Sequence, residues 1–176
     1  MREYIIPNIP TYQKSTLSIV GAVSGALKSL GRDFDIVDVS GYSGWAFIVN
    51  ILRGKTCPSS VYCIDNWDDT LKGMETLGYK ISKCRDPKGY EYYTGEPSDE
   101  ERERARRFFE LVKKELETKN RPVIFWGIPD PEYAIVYGYK DDTYLVSSSN
   151  LVYGTPDTPF KYDEIKAPGG LQYFTF

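Results

Sequence analysis

No histidine occurs anywhere in the 176 residues, and histidine is the usual general base, the usual activator of a nucleophile and the commonest neutral metal ligand. Ser-His-Asp and Cys-His catalysis within this chain are thereby excluded. A basic excess is also lacking. Twenty-two Lys plus Arg stand against twenty-five Asp plus Glu, for a net charge of −3, so the electrostatic footprint of a phosphate-backbone binder is missing. Long apolar runs are missing too, and Met1 to Pro7 lack the apolar core of a signal peptide. We therefore expect a cytoplasmic protein with neither nucleic acid nor membrane as partner. Only three cysteines occur, Cys57, Cys63 and Cys84. They cannot all pair within one chain, and their spacing is not that of the short Cys pairs of zinc sites. No structural metal and no cofactor are expected. Asp65, Asp68 and Asp69 lack the alternation and glycine of a calcium loop, and helix-dipole stabilisation accounts for them.

What is present is enough for a core: 41% of the residues are hydrophobic. No internal repeat interrupts the chain, so one domain over residues 1–176 is the simplest account. Leu17, Val20, Val23, Leu27 and Leu30 recur at helical spacing after Ser15 and Thr16, and Gly31 closes the run. Within that helix the pair Gly21 and Gly25 permits close approach of a neighbour. Phe34 to Val39 alternates as a short strand, and Ser40 to Gly44 supply turn residues. Trp45 to Leu52 is apolar nearly all round and predicts a core helix. Asp65 or Asn66 caps a further helix through Trp67, Leu71, Met74 and Leu77, stopped by Gly78, ahead of a strand at Tyr79 to Ser82.

Lys83 to Pro97 forms a long loop, either a lid or an ordinary surface segment. Ser98-Asp99-Glu100-Glu101 is a capping box, followed by the stripe Ala105, Phe108, Phe109, Val112 and Leu116 on an otherwise charged helix. Its charged run reads as a solvated face with i,i+4 pairs such as Glu100 to Arg104. After Pro122 the period changes to two: strands at Val123 to Trp126, Tyr133 to Tyr139 and Thr143 to Ser148, with a Lys140-Asp141-Asp142 turn, and one more at Leu171 to Phe176. Helices first and a hairpin-rich sheet second predict an α+β domain.

The segments Gly41-Tyr42-Ser43-Gly44-Trp45-Ala46-Phe47 and Cys57-Pro58-Ser59, a helix centred on Trp67, Leu77-Gly78-Tyr79, Pro122-Val123-Ile124 and Glu132 to Tyr139 come in an order that resembles the papain-like superfamily. The similarity spans residues 35–150. Its nearest branches are the bacteriocin-processing, double-glycine peptidases and the amino-terminal domain of the butirosin-biosynthesis H protein. The resemblance implies a papain-like fold, with amino-terminal helices packed on a carboxy-terminal antiparallel sheet. In those peptidases a cysteine opens the central helix in a Cys-Gly-x-Ala pattern, a histidine starts a later strand, and an Asp or Asn follows the next one. Ser43 stands at the first position, Glu132 or Tyr133 at the second, and Ser147 or Ser148 near the third. All three depart from the pattern, so peptidase activity does not carry over.

Two readings attach to each candidate. Ser43 at a helix start would face backbone N–H groups able to hold an oxyanion, but a serine there is also the ordinary N-cap. Glu132 becomes a base if burial raises its pKa, or is a solvated loop carboxylate. Cys57 is the natural thiol nucleophile or a structural cysteine. With Gly44, Trp45, Cys57, Trp67 and Tyr133 around it, a pocket between Ser43 and Glu132 would hold a small molecule or peptide segment after losing its chemistry. The rival readings are an acyltransferase or amide hydrolase using Ser43 or Cys57 without histidine, and an interaction domain, including a homodimer, whose edge strand or Leu171 to Phe176 tail inserts into a partner.

Overall fold

The computed structural model describes residues 2–47, 67–86, 96–167 and 170–176. Within them the fold is α+β, with helices on both faces of an antiparallel sheet. The sheet order is β2 (Ser82–Arg85), β7 (Gln172–Thr175), β3 (Val123–Trp126), β4 (Tyr133–Lys140), β5 (Thr143–Ser147) and β6 (Phe160–Lys161). The short β1 (Glu3–Ile5) pairs with the far half of β4. There Gly138 is required, because a Cβ would stand 2.5 Å from the Tyr4 carbonyl oxygen.

Period-two alternation sorts the side chains onto two faces. Tyr133 and Ile135 of β4, Ile124 of β3 and Phe174 of β7 point to one face, and Ala134, Val136, Val123, Phe125 and Tyr173 to the other. The second face is covered by α4 (Asp99–Lys119), whose Ala105, Phe108, Phe109, Val112 and Leu116 stripe is buried as its spacing predicts. Its capping box forms: the Ser98 hydroxyl accepts from the Glu101 N–H at 3.3 Å and the Glu101 carboxylate accepts from the Ser98 N–H at 2.8 Å. The solvated-face reading fails at Arg104, which is 5% exposed and pairs with Asp86 at 2.8 Å.

The first face is covered by α1 (Ser18–Ser29), buried at every residue from Ile19 to Leu27 and packed on β4 and β3. Gly21 and Gly25 make room for the preceding segment. A Cβ would lie 2.4 Å from the Gln13 carbonyl at Gly21 and 2.3 Å from that of Thr11 at Gly25, and the Gln13 N–H donates to Gly21 O at 3.2 Å. The helix starts at Ser18 and not at Ser15, because Ser15 Oγ accepts from the Leu17 N–H at 3.1 Å and holds an extended Leu17 ahead of it.

Three further expectations are corrected. Phe34 to Val39 is not a strand: Asp35 caps α2 (Ile36–Tyr42), accepting from the Val37 and Asp38 N–H groups, while Asp38 returns the bond to the Asp35 N–H. A reciprocal capping box overrides the alternation. The expected strand at Tyr79 to Ser82 starts three residues later, at Ser82, because its register is set by β7, with Cys84 opposite Tyr173. The Leu171 to Phe176 tail is no free arm. It lies between β2 and β3, with Leu171, Phe174 and Phe176 all buried.

The helix carrying Trp67 spans α3 (Trp67–Met74) and ends through a 3-10 turn at Gly78, whose φ of 92° only glycine adopts freely. Its expected cap and most of the 83–97 loop lie outside the described residues. Among the described residues no helix is long and apolar enough to cross a membrane.

Candidate functional site

Ser43 does not open a helix. It ends α2, its N–H donating to Val39 O at 3.0 Å, and Gly44 at φ 78° then reverses the chain into a 3-10 turn at Trp45–Phe47. The remainder of the expected core helix lies outside the described residues. The Ser43 hydroxyl donates to Ser40 O at 3.2 Å and accepts from the Trp45 N–H at 3.3 Å, and the residue is 4% exposed. Its carbonyl is covered by α3, where a Cβ on Gly73 would stand 2.4 Å away. Ser43 is therefore built into a turn and a helix contact.

Trp45 and Tyr133 are brought together, but as members of the apolar cluster under α1. The Tyr133 ring lies 5.0 Å from Trp126 and 5.8 Å from Phe174, and its hydroxyl accepts from Gln172 Nε2 at 2.7 Å. Glu132 closes the turn between β3 and β4, its carbonyl accepting from the Gly127 N–H at 2.9 Å. Cys57 lies outside the described residues, as does the side chain of Trp67. The Cys84 thiol is pushed up by burial, which lowers its thiolate fraction at neutral pH.

At the end of β5, Ser147 Oγ accepts from the Tyr12 N–H at 2.9 Å, tying the segment before α1 to the sheet. Ser148 Oγ bonds Asp157, whose other oxygen accepts from the Ser148 N–H at 3.0 Å. Ser148 also caps a 3-10 turn at Ser149–Tyr153. Burial, with the Asp157 charge nearby, pushes the Tyr137 phenol up.

A cleft of about 720 Å³ opens where these elements meet the start of α1. Lys14, Ser15, Thr16 and Leu17 form one wall, Ile36, Val37 and Ser40 of α2 a second, and Ala46, Val152 and Tyr153 complete it. It includes neither Ser43 nor Glu132. Its size falls in the range of small-molecule sites. Val37 and Tyr153 are 71% and 77% exposed, so two large apolar groups face solvent at its mouth. Sequence reasoning missed this cleft, although Lys14-Ser15-Thr16 ahead of a largely apolar helix was visible as a polar lip on a buried element.

Compared with known proteins, the chain matches no family model and shows no significant similarity to a curated protein.

Proposed function

We propose that this protein is a binding module: a papain-like architecture without hydrolytic machinery, holding a small molecule or apolar peptide segment in the cleft at the start of α1. The observation that carries the reading is the cleft itself, with its apolar walls and few polar groups. The α+β arrangement supports the architecture. Hydroxyls of Ser15 and Thr16 stand on the cleft wall, and the chain has no histidine to activate them.

The test is a titration with 1-decanol followed by backbone NMR. Shifts clustered at Leu17, Val37 and Tyr153, abolished by Val37→Asp in a protein that keeps its dispersed spectrum, are the expected result. Perturbations scattered over the surface, or unchanged by Val37→Asp, overturn the site. In parallel, intact-mass spectra after a fluorophosphonate and an acyl thioester should show no stoichiometric adduct. An adduct mapped to Ser43 or Cys57 and lost on the matching alanine substitution would replace the binding reading with the acyltransferase or hydrolase one.

A further inference from the structure

The polar groups of the cleft are unequal in what they still offer a ligand. Ser15 Oγ already accepts from the Leu17 N–H, and Ser40 Oγ donates to Ile36 O at 2.6 Å. A peptide backbone, which brings an amide donor and acceptor with every residue, would find few partners on these walls. Among the described residues, the only charged side chain of the lining is Lys14. Asp35 and Asp38 stand beside the cleft at the start of α2, but their carboxylates are turned into the capping box. No acid stands in the first turn of α1 behind Lys14. Apart from Thr16, which adds one hydroxyl, the remaining described lining is aliphatic or aromatic: Leu17, Ile36, Val37, Ala46, Val152 and Tyr153.

As far as the described residues line it, a mainly apolar trough with a cation at its lip complements an apolar chain with an anionic end. Resting on the binding reading above, we propose that the ligand is a free aliphatic carboxylate, its chain along Val37 and Val152 and its head group at Lys14. A solvent-facing ion pair contributes little, so the head group selects more than it anchors. Burial of the chain supplies most of the affinity.

The experiment compares decanoate with 1-decanol on the same protein by NMR titration. Decanoate is expected to bind about three- to fivefold tighter at low ionic strength, the size of an exposed ion pair. The preference should shrink with added salt, as screening requires. Lys14→Gln should bring the ratio to about one, and Lys14→Glu should reverse it. Equal binding of acid and alcohol, or a preference that survives Lys14→Gln, overturns the inference and leaves the apolar cleft standing. Tighter binding of a Val-Leu-Leu peptide than of decanoate overturns it in favour of a peptide occupant. Failure of all three probes to perturb Val37 or Tyr153 overturns the cleft as a site as well.

Discussion

A Cβ placed on Gly73 would stand 2.4 Å from the carbonyl oxygen of Ser43, so the end of α2 and the last turn of α3 touch backbone to backbone. The atom in the way is main chain and cannot swing aside as a side-chain tip would. Gly73→Ala therefore forces the two helices apart. Alanine gains helix propensity at that position, yet overpacking costs about 1–3 kcal/mol and wins. Urea denaturation should show a lower midpoint with an unchanged slope; an unchanged or raised midpoint would show that the contact is not that close.

The Arg104 to Asp86 pair is a second place where one substitution should cost much. Arg104 is 5% exposed and its guanidinium lies 2.8 Å from a carboxylate that is itself largely covered. Breaking a buried ion pair by removing one partner costs up to about 3–5 kcal/mol. We expect Arg104→Ala to approach that figure in chemical denaturation and Arg104→Lys to recover part of it. A loss below about 1 kcal/mol would mean that the pair behaves as a surface bridge.

Alkali should unfold the protein in a definite window. Burial, aided by the bond to the Glu117 carboxylate, pushes the Tyr139 phenol from its ordinary value of 10.0 up to about 12. Burial raises Tyr173 as well. A phenol that holds its proton more tightly in the folded state adds stability that is complete below pH 10 and declines as pH rises from 10 towards 12. Thermal melts across that range should fall steeply for the natural chain and less steeply for Tyr139→Phe. Parallel curves would remove Tyr139 as a contributor.

Local chemistry made some elements legible. Ser98 and Glu101 stand three residues apart ahead of an apolar stripe, and the two bonds they exchange involve no other part of the chain. Strands β3 to β5 declared themselves because each buries residues on both faces while its turns carry Pro, Gly and Asp. The same logic misled at Asp35 to Val39. Alternating apolar residues suggested a strand, whereas the Asp35 and Asp38 spacing of three, equally visible, decided for a helix.

The site was harder to read. Ser43 looked like a helix start because Gly44-Trp45-Ala46 follows it, but whether it ends α2 or opens the next element depends on α3, thirty residues on. The tail at Leu171 to Phe176 looked available for a partner and is a central strand, since its neighbours β2 and β3 lie far back in the chain.

The sequence by itself determined that these 176 residues hold no histidine, the α+β class and the two apolar stripes that face the sheet, because composition and periodicity are properties of neighbouring residues. Only the tertiary structure decided where the cleft lies, that Ser43 is buried in a turn, that Arg104 pairs inward and that the tail is interior. Each of these depends on which distant segment packs against which, and burial and pairing partners across the chain leave no periodic trace in the order of residues.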